Sequence, residues 1–262
     1  MPYCTLGAHS LYYELTGNGA KTLVLFNGIT MSTPSWTYML PALEAHYRVL
    51  RLDFLGQGQS SKPQTLKYAL SEQSDLAAAL MDQLGIDKIY LTGLSYGGMA
   101  AQHFTRRHPQ KVDKLLLAST LAWCDAASAS MCDSWVAAEQ AGGLDLRYQI
   151  SIPWLFSSRF LATHGEMLPD LKKLSELVDW PSVVRLINGL KEHDARTWLD
   201  AIRAPTLVLV GNEDRLTPLY QSEQLATRIP GARLEILAGS GHVLHLEAAD
   251  AFNRAITGFC PP

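Results

Sequence analysis

The chain of 262 residues is 47% hydrophobic and 18% charged, and its 22 Lys and Arg against 25 Asp and Glu leave a formal net charge of −3. That size suits a globular unit burying roughly three quarters of the surface its unfolded chain exposes. The charge balance shows no basic patch or stripe of the kind a nucleic-acid partner needs, and no apolar run approaches the ~20 residues required to cross a bilayer.

The opening Met1-Pro2-Tyr3-Cys4 has neither a charged start nor a long apolar core, so no secretory leader is expected and a cytoplasmic setting is. Leu23-Val24-Leu25-Phe26 is a short apolar run that stops at Asn27-Gly28, which predicts a buried strand meeting a turn. Residues 47–53 alternate enough for a strand and then enter Gly56-Gln57-Gly58. Over 68–84, Leu70, Ala77, Leu80, Met81 and Leu84 fall at helical spacing, with Gly85 as the stop. A strand over 88–92 leads into the glycine-rich residues 93–98, and a helix near 97–107 follows. Strand-like runs recur at 112–118, 205–211 and, more weakly, 232–237, with helical patterns over 218–228 and 246–258.

Strands alternating with helices predict a parallel sheet covered by helices on both faces. Residues 121–200 break the alternation, because they hold no convincing strand and five of the six tryptophans: Trp123, Trp135, Trp154, Trp180 and Trp198. The expected division is therefore a core of 1–120 and 201–262 with 121–200 inserted as a helical cap, a second helical layer being the alternative. The cap is favoured because open α/β sheets bind ligands outside the carboxyl ends of their strands. The four cysteines (Cys4, Cys124, Cys132, Cys260) are scattered without zinc spacing and are expected to be reduced thiols, with no metal bound.

Gly93-Leu94-Ser95-Tyr96-Gly97 matches G-x-S-x-G, with Gly98 after it. The motif alone is weak, and a glycine-rich turn with a solvated serine would share it. Its context is what carries weight: Lys88-Ile89-Tyr90-Leu91-Thr92 reads as a strand just before it and a helix follows, as a strained turn that exposes a nucleophilic serine requires. A serine hydroxyl needs a base to take its proton. Among eight histidines, His242 lies in a loop between the last predicted strand and the last helix, at the same sheet edge as Ser95, with His245 as second choice. The base needs a carboxylate to hold its tautomer, and Asp214 directly follows the strand at 205–211. Glu213 and Asp125 are rivals, while Asp53 is expected to brace a loop. Backbone N–H groups of Tyr96 and Ile29 are the expected donors to a tetrahedral oxyanion. Asn27, Trp123, Trp154, Phe156 and Val243 are expected to line the pocket, and the apolar residues of the insertion point to an apolar acyl or aromatic group there.

Four features together, the Asn27-Gly28 turn, Gly93 to Gly98, Gly211 to Asp214 with Pro218, and Gly241-His242, resemble the α/β-hydrolase fold superfamily from Leu23 to the C-terminal helix. The resemblance implies a mostly parallel eight-stranded sheet flanked by helices, with a helical cap insertion, and a Ser95–Asp214–His242 triad. Two departures stand out. Members commonly carry His-Gly where this chain has Asn27-Gly28, and often Asp-x-Arg-Gly-x-Gly-x-Ser where it has Asp53-Phe54-Leu55-Gly56-Gln57-Gly58-Gln59-Ser60. Asn27 resembles the enol-lactonase branch. Thr33, Ser35 and Trp36, with Gly241 to Leu244 and Glu247, are similar to hydroxyacyl transferases of the rhamnolipid type. The expected activity is hydrolysis of a carboxylic ester or lactone with an apolar acyl group through an acyl-Ser95 intermediate, without cofactor. The expected partner is a small apolar ester, lactone or acyl thioester. An acyltransferase or thioesterase, a C–C bond hydrolase or haloperoxidase-like enzyme, and a ligand receptor with little turnover are the alternatives; the oligomeric state stays open.

Overall fold

The computed structural model describes residues 2–262; Met1, where the reading of the leader begins, lies outside them. Eight strands form one sheet in the order β1-β2-β4-β3-β5-β6-β7-β8. They are β1 (Tyr3–Leu6), β2 (His9–Thr16), β3 (Thr22–Phe26), β4 (Arg48–Leu52), β5 (Ile89–Leu94), β6 (Val112–Ala118), β7 (Thr206–Gly211) and β8 (Arg233–Leu237). β1 and β2 pair antiparallel with each other and β2 antiparallel with β4; every other pairing is parallel.

The central strands β3, β5 and β7 are buried at every residue, as expected of parallel strands covered on both faces. Alternation sorts their side chains between two cores. Val24 and Phe26 of β3 join Leu50, Leu52, Leu91, Phe104 and Met81 on one face, whereas Leu23 and Leu25 join Trp36, Leu43, Phe252 and Ile256 on the other. The helices are α1 (Leu40–Glu44), α2 (Leu70–Gln83), α3 (Tyr96–Arg107), α4 (Ala126–Leu155), α5 (Ser158–His164), α6 (Leu168–Ser175), α7 (Trp180–Leu190), α8 (Leu219–Arg228), α9 (Leu244–Glu247) and α10 (Ala249–Phe259). The expected stop at Gly85 is a left-handed residue with φ +65°, one past the Leu84 cap of α2.

The six expected strands all form, within one or two residues of their expected bounds. The N-terminal hairpin β1–β2 escapes a residue-by-residue reading because only Cys4 and Leu11 of its side chains are buried, too sparse an apolar pattern to stand out. Residues 121–200 hold four helices, short 3-10 turns and no strand, only the isolated bridge Trp123–Asp194. The two ends of this segment are tied by Ala195 N–H to Ala122 O (2.9 Å) and Cys124 N–H to His193 O (2.8 Å). Gly142 and Gly143 break α4 with non-helical backbone angles, so its two halves point differently. No helix among the described residues is long and apolar enough to cross a membrane.

Candidate active site

Ser95 sits between β5 and α3 with φ 56° and ψ −117°, a conformation that a non-glycine residue occupies only under constraint. The neighbouring glycines supply the constraint. A Cβ on Gly97 would stand 2.2 Å from Phe26 O, and one on Gly93 would stand 2.3 Å from Gly97 O. The chain can turn from strand to helix this tightly only because those positions lack side chains. Ser95 N–H donates to Ala118 O (2.9 Å) and Thr120 Oγ1 donates to Ser95 O (2.7 Å), which fixes the turn against β6.

Asp214 lies in the turn after β7, where its own N–H donates to Gly211 O (3.1 Å). Its carboxylate accepts from Leu216 N–H (3.0 Å), Thr217 N–H (2.8 Å) and Thr217 Oγ1 (2.7 Å). His242 Nδ1 stands 3.0 Å from Asp214 Oδ2 and 3.2 Å from Oδ1, with both side chains buried. Burial alone raises the Asp214 carboxyl, yet the facing His242 and the Thr217 donors outweigh it and hold the group below the usual carboxylate range. Thr217 is a supporting residue that no motif signals.

The loop carrying His242 is fastened from several directions. Its N–H donates to Leu155 O at the end of α4 (2.9 Å), and Glu247 accepts from Gly241 N–H (3.1 Å) and from Ser157 N–H (3.2 Å). The rivals serve elsewhere. Asp125 caps α4 by accepting from Ser128 N–H (2.8 Å) and also takes Gln221 Nε2 (2.9 Å) and the Tyr220 hydroxyl. Glu213 accepts from Ser158 N–H (3.0 Å). Asp53 accepts from Thr33 N–H (2.7 Å) and Gln59 N–H (2.9 Å), bracing a loop. His245 is buried beside Trp36 with Nδ1 unpartnered; burial, and then the nearby His242, push it down to about 3, so it stays neutral.

Ser95 and His242 line one cavity of about 290 Å³, with Gly28 and Ile29 on one side and residues of α4, α6 and α7 on the other. No hydrogen bond joins Ser95 Oγ to His242, a contact that often tightens only when substrate is held between them. The backbone N–H groups of Ile29 and Tyr96 have no partner among the described residues, which leaves both free to meet an acceptor beside Ser95.

Of the five side chains expected in the pocket, Phe156 and Val243 line it. The other three do not, each for a physical reason. Asn27 is fully buried as a bracket: its amide donates to Leu52 O (2.8 Å) and its oxygen accepts from Trp36 Nε1 (2.7 Å), so no polar atom is left for a ligand. Trp123 lies under the Arg196 guanidinium and beside the tilted Tyr220 ring at the base of the insertion. Trp154 faces solvent at 41% exposure. The tryptophans that do line the cavity are Trp135 and Trp180, with Arg147, Ser151 and Leu155 beside them. The spacing 147, 151, 155 marks one helical face, a signal present in the sequence but masked by the break at Gly142. Among the described residues no three His, Cys, Asp or Glu side chains gather closely enough to hold a metal ion.

A strained serine turn, a buried histidine–carboxylate pair and a sheet of this order define a class. A model of the Alpha/beta hydrolase family matches residues 23–255, and the chain belongs to that family. Among curated proteins it is 29% identical to the "Putative carbamate hydrolase RutD" of Caulobacter sp. (strain K31), over 95% of each chain. Among solved structures it is similar to MGS-M2, an alpha/beta hydrolase enzyme from a Medee basin deep-sea metagenome library, with TM-score 0.93 and 28% identity over 98% of this chain and 96% of that one. It is also similar to the enol-lactonase from Burkholderia xenovorans LB400, with TM-score 0.88 and 25% identity over the full length of both chains.

Proposed function

We propose that the protein hydrolyses a carboxylic ester or lactone carrying an apolar acyl group, through an acyl-Ser95 intermediate. The observation that carries the reading is the buried His242–Asp214 pair, 3.0 Å apart, opening onto the same cavity as the strained Ser95. His242 Nε2 takes the hydroxyl proton as Ser95 Oγ bonds to the carbonyl carbon, and the carbonyl oxygen becomes an oxyanion held by the N–H groups of Ile29 and Tyr96. The intermediate collapses by expelling the alkoxide, which leaves with the proton from His242. Water then repeats the cycle: His242 takes its proton, its oxygen bonds to the acyl carbon, and the proton returns to Ser95 as the acid departs. Asp214 fixes the histidine tautomer and stabilises the imidazolium. Each oxyanion donor is worth on the order of 10²–10³ in rate.

The segment 121–200 serves as a cap that closes the apolar side of the cavity and excludes water from the acyl chain. The similarity to an enol-lactonase supports the lactone half of the reading, and the carbamate name of the curated relative adds a carbonyl that the same attack would open. The test is a panel of p-nitrophenyl esters, five- and six-membered lactones, acyl thioesters and an aryl carbamate, assayed with the wild type and Ser95→Ala. Turnover of esters or lactones lost by at least about 10³-fold in Ser95→Ala is expected. Turnover that survives the substitution would overturn the reading.

A further inference from the structure

Gln57 stands between two left-handed glycines, Gly56 with φ +88° and Gly58 with φ +42°, and exposes only 3% of its surface. It lines no part of the cavity that holds Ser95, yet its amide reaches the loop at that cavity's edge. Nε2 donates to Gly28 O (2.8 Å) and to Ile29 O (3.3 Å). Oε1 accepts from Phe54 N–H (3.2 Å) and from Asn27 Nδ2 (3.4 Å). Those partners fix which end of the amide is which, because a reversed amide would set its oxygen against Gly28 O and its NH2 group against Phe54 N–H. Met31 N–H is the second donor to Gly28 O (3.1 Å). A planar trans peptide holds its C=O and N–H on opposite sides. With Gly28 O taken up by Gln57 and Met31, the N–H of the same peptide, that of Ile29, faces the other way, and it has no partner among the described residues. Gly28 has no side chain to resist rotation of this peptide, so its orientation depends on what holds the oxygen.

We propose that Gln57 is a positioning residue of the oxyanion site: its grip on Gly28 O keeps Ile29 N–H turned into the cavity beside Ser95. This rests on the hydrolase reading above and deepens it, by naming the side chain that sets one of the two donors. Gln57 touches no substrate atom and acts only through the peptide between Gly28 and Ile29. Rotation of that peptide would present a carbonyl oxygen where the oxyanion forms, replacing attraction by repulsion. The two hydrogen bonds on Gly28 O also polarise the peptide and make Ile29 N–H a stronger donor. The role gives a reason for the close packing of Gly56-Gln57-Gly58. A Cβ on Gly58 would stand 2.0 Å from Asp53 Oδ2, so the loop lies tight against Asp53 and carries Gln57 up to the Gly28 turn.

The test compares p-nitrophenyl butyrate with its thiono counterpart, in which sulfur replaces the carbonyl oxygen, in the wild type and in Gln57→Met. Sulfur accepts hydrogen bonds weakly, so the thionoester gains little from the oxyanion donors. Gln57→Met fills the same space without a donor. In it, kcat and kcat/KM for the oxygen ester should fall together at least about tenfold, with KM changed by less than about threefold. The oxygen-to-sulfur ratio of kcat/KM should shrink by about the same factor. A merely structural role for Gln57 would lower both substrates equally, and that result would overturn the proposal. Gln57→Asn, whose amide ends one methylene short of Gly28 O, should move the ratio the same way and reads the proposal if Gln57→Met does not fold. A crystal structure of the variant separates the two proposals. A peptide between Gly28 and Ile29 rotated so that Ile29 N–H leaves the cavity sustains the role of Gln57 even if no ester is turned over. A peptide unchanged from the wild type overturns it even if esters are.

Discussion

The two sides of the cavity are built by different rules. On the sheet side, Ser95, Asp214 and His242 stand on turns whose backbone is dictated by contact: Gly97 against Phe26 O, Asp214 within a shell of Thr217 donors, and the His242 loop pinned by Leu155 and Glu247. On the helical side the walls are side chains projecting from α4, α6 and α7, and the packing is looser. α6 buries none of its residues, and Leu174, which lines the cavity, is 61% exposed. On the proposed reading, chemistry is held by backbone geometry that tolerates almost no change, while substrate choice is held by side chains that can be exchanged without touching the reacting atoms.

The sharpest way to break this contrast is Asp214→Asn. Loss of the carboxylate should cost about 10⁴-fold in kcat while leaving the fold in place, because the asparagine oxygen can still accept from Thr217. The same variant has a pH signature. The folded Asp214 carboxyl lies below its ordinary value of 3.8, so its contribution to stability is complete above 3.8 and is lost as the pH falls from there through the folded value. Thermal melts should show the wild type losing its lead over Asp214→Asn below that pH, and a gap that stayed constant in acid would contradict the pairing.

Next in size is Gly97→Ala, whose new Cβ would meet Phe26 O at 2.2 Å. The turn must shift, with a stability loss of about 1–3 kcal/mol and a drop in kcat well beyond what lost stability explains. Unchanged kcat with a normal melting temperature would show that the sheet side is less rigid than its contacts imply.

A third expectation concerns the base of the insertion, where His103 Nε2 and His193 Nδ1 lie 3.3 Å apart and His193 Nε2 meets Leu121 O (3.1 Å). Burial, with Arg106 and Arg107 near, pushes His103 down to about 4; burial, with His103 beside it, pushes His193 down to about 3. Unfolded histidines take up protons below 6.5, so these two favour the folded state fully above 6.5 and lose that contribution as the pH falls toward their folded values. The fall in Tm between about pH 7.5 and about pH 5 should therefore be smaller in a His103→Gln, His193→Gln double variant than in the wild type. Equal falls would remove these histidines from the account. The smallest effect belongs to Trp154→Ala, which should change neither stability nor kcat/KM by more than about twofold, because its ring faces solvent.

The same contrast explains what could be read from the residues alone. Ser95, Asp214 and His242 were legible because each follows a strand whose apolar run marks its end, and because the glycines around Ser95 announce a turn too tight for side chains. The strands β3 to β8 were legible for the same reason. Thr217 was not, since a threonine in a polar loop carries no mark of the carboxylate it faces. The pocket tryptophans were misassigned because composition counts them without saying where they point: Trp123 and Trp154 turn away, while Trp135 and Trp180 turn inward. Asn27 sits at the expected turn, but its side-chain amide is consumed by Leu52 and Trp36, so it braces the turn and does not line the cavity.

The central claim, that Ser95 is the nucleophile and His242 with Asp214 activates it, is tested most directly by mass spectrometry of the protein after a fluorophosphonate probe. A single adduct is expected, mapping to the peptide that contains Ser95, forming at least about 10³-fold more slowly in His242→Ala and absent in Ser95→Ala. An adduct on any other residue, or labelling at Ser95 that proceeds equally fast without His242, would contradict it.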